Sequence, residues 1–303
     1  MPGLKGRDYL RIDDLSAEEI RGLLDETAET KREPVTDELE NRNLGMVFQK
    51  RSTRTRVSFE VGMNQLGGDA VFLSSDDLQL GRGETVADTS RALSRYVDAL
   101  MARVYDHSDV VELAEHSDVP VVNGLSDFNH PCQALSDLFT VSEAKGSLEG
   151  VSLAWLGDGN NVCHSLLHGS SLVGMNVRVA TPEEHEPDAD VVGRAREYAE
   201  ESGSTVMTTN DPLEAVEGAD VVYTDSWISM GDDDKEEEVF EEFRVDSELT
   251  SHAADDYLFM HCLPAHRGKE VTDEVIDGEN SVVWEQAENR MHTQKALLKR
   301  LVA

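Results

Sequence analysis

Lysine is scarce in this chain. Eight occur in 303 residues, and all basic side chains number 27 against 61 acidic ones, a formal net charge of −34 at pH 7. A surface that negative repels nucleic acid and anionic membranes, so neither is an expected partner. It suits a high-salt cytosol, where dense carboxylates stay hydrated and cations screen their mutual repulsion. Long apolar runs are missing too: none approaches the ~20 residues that span a bilayer. Nor does the N-terminus read as a secretory signal. Only three cysteines occur, Cys132, Cys163 and Cys262, so at least one lies outside any disulfide. A cytoplasmic location is the simplest expectation.

What is present is an alternation. At about 150 residues per domain, the length predicts two domains with a cleft between them. "DDLSAEEIRGLLDETAETKRE" reads as a capped amphipathic helix. "NLGMVFQ", "DAVFLS", "DALMARVY" and "VPVVNGL" read as strands separated by the helical stretches "RVSFEVGMNQLGG", "ETVADTSRALSRYV" and "DVVELAEHS". After "HPCQALSDLFTVSEAKG", a connecting helix, the pattern restarts with "VSLAWLGDG", "MNVRVATP", "STVMTT", "ADVVYTD" and "YLFMHCL" as strands. "SVVWEQAENRMHTQKALLKRLVA" reads as a short strand and a closing helix, and "GDDDKEEEVFEEF" as a solvated loop or helix face. Strands alternating with helices predict an α/β fold of two doubly wound parallel-sheet domains, with the active site in the cleft.

Against the negative charge, "FQKRSTRTRVSFE" concentrates Lys50, Arg51, Arg54 and Arg56 within residues 48–60. Ser52, Thr53, Arg54 and Thr55 fall in a strand-to-helix turn, where unpaired amides and the helix dipole favour an anion. Hydroxyls and a forked guanidinium match phosphate oxygens. The spacing is not that of a Walker loop. Capping by Ser and Thr, with arginines on a solvated face, accounts for the stretch equally well by itself. Arg103 at a strand end, with His130 and Gln133 at a helix start opened by Pro131, belongs to the same edge of a parallel sheet, so these groups can converge with Arg54.

Four ordered segments, "STRTR", "HPCQ", "DSWISMG" and "HCLPAHRG", resemble the ornithine carbamoyltransferases over essentially the whole chain; "STRT" alone marks the wider group that includes the aspartate enzymes. The resemblance implies a carbamoyl-phosphate-binding domain of residues 1–145 plus a C-terminal helix 289–303, and an ornithine-binding domain of 146–288. It implies that Ser52, Thr53, Arg54 and Thr55 hold the phosphate with Arg103, and that Thr55, Arg103 and His130 surround the carbonyl oxygen, where charge grows as an amine attacks. Gln133 and the Leu263 carbonyl would take the carbamoyl NH2, and Arg290 would approach the same ligand. Gln79 matches a position that reaches the phosphate of a neighbouring subunit. Asn161, Asp225, Ser229 and Met230 match ornithine-binding positions, with Asp225 pairing the α-ammonium. Cys262 matches the residue beside the attacking amine, where it accepts the proton or positions the nitrogen. Arg103, His130 and Cys262 are therefore the expected catalytic residues. Leu263-Pro264 is expected to be cis, and Arg56 to form a supporting ion pair. The products would be citrulline and phosphate, and the assembly a homotrimer or a multiple of trimers.

No cofactor and no metal are expected: His261 and His266 flank "HCLPAH", but two histidines and a cysteine on one turn lack a further ligand set. A dinucleotide-binding oxidoreductase is the main rival, because "VSLAWLGDGNNV" enters a glycine-containing turn, yet a third small residue and the acidic residue after the second strand are both missing. A non-catalytic phosphate-binding protein of the same fold, and a carbamoyltransferase for another amine, are the remaining alternatives.

Overall fold

In the computed structural model of the chain, residues 3–75, 78, 83–228 and 236–303 are described. Gln79, Ser229 and Met230 lie outside them, as does the start of the acidic run. Two compact units emerge, Met1–Ser136 with Asn289–Ala303, and Asp137–Glu288. The division falls within a continuous helix, where the expected boundary was residue 145.

The first unit holds a parallel sheet of four strands in the order β2-β1-β3-β4: β1 (Asn43–Phe48), β2 (Asp69–Ser74), β3 (Ala99–Arg103) and β4 (Val121–Leu125). Its helices are α1 (Ala17–Arg32), α2 (Thr53–Gln65), α3 (Val86–Leu93) and α4 (His107–His116), with the first turns of α5 (Pro131–Lys145). Sequence signals account for several ends. Ser16 caps α1 by accepting from the Glu19 amide while Glu19 returns a bond to the Ser16 amide, a reciprocal pair of which the cap alone stabilises by about 1 kcal/mol. β1 and β3 are buried on both faces, as their unbroken apolar runs demand. Val47, Leu100, Ala102, Val104, Val110 and Leu113 form one packed cluster there.

The second unit carries five parallel strands in the order β7-β6-β5-β8-β9: β5 (Ser152–Leu156), β6 (Asn176–Ala180), β7 (Val206–Thr209), β8 (Val221–Thr224) and β9 (Leu258–His261). α6 (Asn161–Val173) ends at Gly174 and α7 (Ala189–Ser202) at Gly203, both in the left-handed region that glycine reaches without a Cβ clash. Three short helices were not legible in the sequence: α8 (Pro212–Val216), α9 (Ser247–Thr250) and α10 (Asp273–Ile276). They seal one sheet face through Ala215, Val216, Leu249, Val275 and Ile276.

Two expectations need correction. The closing segment is one helix, α11 (Val283–Val302), and the strand expected before it is only an isolated bridge between Phe259 and Ser281. The described end of the acidic run is a 3₁₀ turn, Glu237–Phe243, that buries Phe240 and Phe243 while its carboxylates face outward, so it is an anchored segment and not merely a solvated one. Among the described residues no helix is long and apolar enough to cross a membrane.

Candidate active site

Each sheet reverses its strand order once, between β1 and β3 in the first unit and between β5 and β8 in the second. At such a reversal the two following connections leave in opposite directions, opening a crevice at the carboxyl ends of the strands. Sequence-selected residues among those described gather at these two places.

In the first unit, β1 and β3 end side by side, Phe48 opposite Arg103. The chain leaving β1 enters α2 through Ser52, whose hydroxyl caps the helix by accepting from the Thr55 amide at 3.2 Å. Three donors then converge on the Thr55 hydroxyl oxygen: Arg290 Nη2 at 2.7 Å, Ser52 Oγ at 3.0 Å and Arg103 Nη1 at 3.3 Å. Arg290 also donates through Nη1 to Gln133 Oε1 at 3.1 Å. Arg103, His130, Gln133 and Arg290 are all buried, at 8, 4, 2 and 5% exposure. Two guanidiniums this deep are costly unless an anion meets them. Burial, with the Arg290 and Arg103 charges beside it, pushes the His130 imidazole well below its usual range. His130 is therefore neutral at pH 7, able to donate one hydrogen bond without adding charge.

The rest of the basic stretch separates by contact. Arg56 pairs with Glu60 one turn along α2 at 3.0 Å and lies 3.9 Å over the Phe72 ring, so its ion pair braces the helix. Lys50 lies over Tyr105 at 5.0 Å. Thr53 is exposed and Arg54 half-buried in the first turn of α2.

In the second unit, Leu156 and Thr224 end β5 and β8 side by side. Asp225 follows β8; its Oδ1 accepts from the Ser226 amide at 2.8 Å and from Cys262 Sγ at 3.0 Å, and its Oδ2 from Asn160 Nδ2 at 3.1 Å. Asn160 was not anticipated. It caps α6 through Oδ1, which accepts from the Val162 and Cys163 amides, so one side chain both starts the helix and steadies Asp225. The cap position in "DGNN" is the signal that could have found it. Asn161, half-buried, is the first helical residue.

Leu263 has φ 59°, a left-handed conformation that costs a branched residue on the order of 1–3 kcal/mol, and its bond to Pro264 is cis as expected. His261 supports this turn: its Nδ1 accepts from the Leu263 amide at 2.8 Å, and its Nε2 lies 3.3 Å from Glu270. Glu270 is buried, yet bonds from His261 and from the His266 amide hold its carboxyl below the usual range against that burial. Both histidines of "HCLPAH" thus meet one carboxylate that sequence reasoning missed. Donor atoms of Asp225, His261 and Cys262 lie within 4.8 Å of one another. That grouping could admit a soft cation, though both His261 nitrogens already face internal partners.

The glycines of the rival dinucleotide reading have another purpose. A Cβ on Gly159 would lie 2.2 Å from the Pro187 nitrogen, and one on Gly157, at φ 117°, would lie 3.4 Å from the Trp227 ring. Space that a pyrophosphate would need at Gly159 is filled by the chain at Glu186 and Pro187.

Residues 7–143 match the carbamoyl-P binding domain of the aspartate/ornithine carbamoyltransferases, and residues 149–301 match their Asp/Orn binding domain. The chain belongs to that family. Among ornithine carbamoyltransferases, it is 56% identical to that of Pyrococcus horikoshii, with 97% of this chain and 95% of the relative covered. It is 54% identical to that of Bacillus subtilis, with 99% and 95% covered. The solved ornithine carbamoyltransferase of Pyrococcus furiosus superposes with a TM-score of 0.97 at 54% identity, over 100% of this chain and 99% of that one. Thr55 and Arg103 fall in the segment matched to carbamoyl-phosphate binding and the Asp225–Cys262 pair in the one matched to amino-acid binding, while Arg290, which reaches Thr55, belongs to the second segment.

Proposed function

We infer that the protein transfers the carbamoyl group of carbamoyl phosphate to the side-chain amine of L-ornithine, giving L-citrulline and phosphate. The observation that carries the first substrate is the convergence of Arg103, Arg290 and Ser52 on one oxygen of the helix start, with Gln133 held by Arg290. Ser52, Thr53, Arg54, Thr55 and Arg103 bind the phosphate, joined by Gln79 of a neighbouring subunit. Thr55, Arg103 and neutral His130 donate to the carbonyl oxygen as it gains charge, without needing to reorganise. Gln133 and the Leu263 carbonyl accept from the carbamoyl NH2, and Arg290 orients the same ligand.

Asn161, Asp225, Ser229 and Met230 hold ornithine, with the Asp225 carboxylate on its α-ammonium. Only a neutral amine attacks, so the proton must leave the nitrogen; Cys262 lies at the amine and serves that transfer or its geometry. The nitrogen's lone pair forms the new C–N bond to the carbonyl carbon. The tetrahedral centre then collapses, and the C–O bond to phosphate breaks with its electrons on the departing oxygen.

The protein works in the cytosol of a salt-rich cell as a homotrimer or a multiple of trimers. The acid excess supports the salt-rich setting, and the family resemblance supports the trimer. The deciding experiment is turnover from carbamoyl phosphate in molar KCl, offering ornithine, aspartate or putrescine and assaying each carbamoyl product. Ornithine-dependent citrulline formation is expected. Turnover only with another amine would overturn the substrate, and no turnover by folded, trimeric protein would overturn the enzyme reading.

A further inference from the structure

β9 is the edge strand of the second sheet: among the described strands it pairs with β8 alone, and its other side makes the isolated Phe259–Ser281 bridge. Its Phe259 and His261 amides therefore need partners from outside the ladder. Phe259 donates to the Asn280 carbonyl at 2.8 Å, and His261 donates to Gln286 Oε1 at 3.0 Å. The second bond stands one residue before Cys262. On the other side, the Leu263 amide is held by His261 Nδ1. The backbone amides flanking the thiol are thus both fastened by side chains.

Gln286 is itself fixed. It is 1% exposed, and its Nε2 donates to Asp137 Oδ1 at 2.7 Å and to the Tyr223 hydroxyl at 3.0 Å. Tyr223 donates in turn to Asp137 Oδ2 at 3.0 Å, which closes a triangle. The amide can face only one way, because a carboxylate accepts while the His261 N–H donates. Burial, with Asp137 beside it, pushes the Tyr223 hydroxyl well up and keeps it a donor. Its ring stacks on Trp155, 5.2 Å between centroids.

We propose that Gln286, oriented by Asp137 and Tyr223, is a positioning residue for carbamoyl transfer: it stands in for the missing strand at His261 and so fixes where the Cys262 thiol meets Asp225. The inference rests on the reading of Cys262 as the amine-side group. Gln286 touches no reacting atom in this scheme; it acts through the backbone.

The test uses the full chain in molar KCl and two probes. Cys132 and Cys163 are buried whereas Cys262 is partly exposed, so the first thiol alkylated by iodoacetamide is Cys262. Gln286→Met should change the rate or pH profile of that alkylation several-fold. It should lower kcat about tenfold or more, as sub-ångström misplacement of a reacting group does, while the KM for carbamoyl phosphate stays within about twofold. Tyr223→Phe, which retains the Gln286–His261 bond, should move both readouts in the same direction by less, and it serves as the variant of record should Gln286→Met not fold. Unchanged alkylation and kcat in a folded variant would overturn the proposal. Altered alkylation with unchanged kcat would also overturn it, and would locate the error in the assignment of Cys262. Citrulline formation by the unaltered protein tests the enzyme reading separately.

Discussion

The strand-order reversals of the two units are built alike and charged oppositely. In the first, Arg103 and Arg290 converge on Thr55 beside a histidine held neutral. In the second, Asp225 receives Asn160, the Ser226 amide and the Cys262 thiol. Both use a side chain that caps the helix after the first strand of its sheet, Ser52 on α2 after β1 and Asn160 on α6 after β5. The same architecture therefore presents cationic donors in one place and a carboxylate in the other, because side chains at the strand ends set the sign.

The sharpest way to break this comparison is to remove charge from the anionic-ligand side. Arg103→Met should lower kcat/KM for carbamoyl phosphate by about 10²–10³-fold, the usual loss for one donor to a developing oxyanion. Steady-state kinetics on folded protein would check it, and a loss confined to ornithine KM would contradict the division of labour. Next in size, Cys262→Ser should reduce kcat about 10²-fold if the thiol takes part in moving the proton. An unchanged kcat would leave Asp225 as the sole contribution of that pair.

Asp225→Asn should raise the KM for ornithine about 10- to 100-fold, the worth of a hydrogen bond to a charged group, with the carbamoyl phosphate KM unaffected. Equal effects on both substrates would dissolve the contrast between the two units. The smallest effect concerns stability. Lys295, buried on α11, donates to the Pro34 carbonyl and to Gln65 Oε1, with no carboxylate among those partners, and burial lowers its amine to about 8 from 10.5. The unfolded chain thus binds the proton more tightly than the folded one. The protonated lysine destabilises the fold fully below about pH 8, and this penalty fades as pH rises toward 10.5. Denaturant titrations should show the parent gaining stability relative to Lys295→Met over that interval. A constant difference would show that the amine titrates normally.

How far the molecule was legible follows from where its determinants lie. The alternation of buried runs with capped amphipathic stretches predicts every named strand and the long helices, because period and end signals are local. The short helices α8, α9 and α10 escape such reading, since a single turn has no period and is held by the core it covers. The strand expected before α11 failed for a related reason: an apolar run at a sheet edge can make one bridge and then enter a helix.

By itself the sequence determined the alternating α/β order, the helix caps at Ser16 and Ser52, and the residue types that chemistry needs at strand ends. Tertiary structure alone decided which of those groups meet. It laid Arg56 over the Phe72 ring, brought Arg290 to Thr55 from the far end of the chain, and chose Asn160 to steady Asp225. It also supplied Glu270 and Gln286 as supports for the Cys262 turn. Hydrogen bonds between residues so distant in sequence depend on strand order and edge position, and no local pattern encodes either.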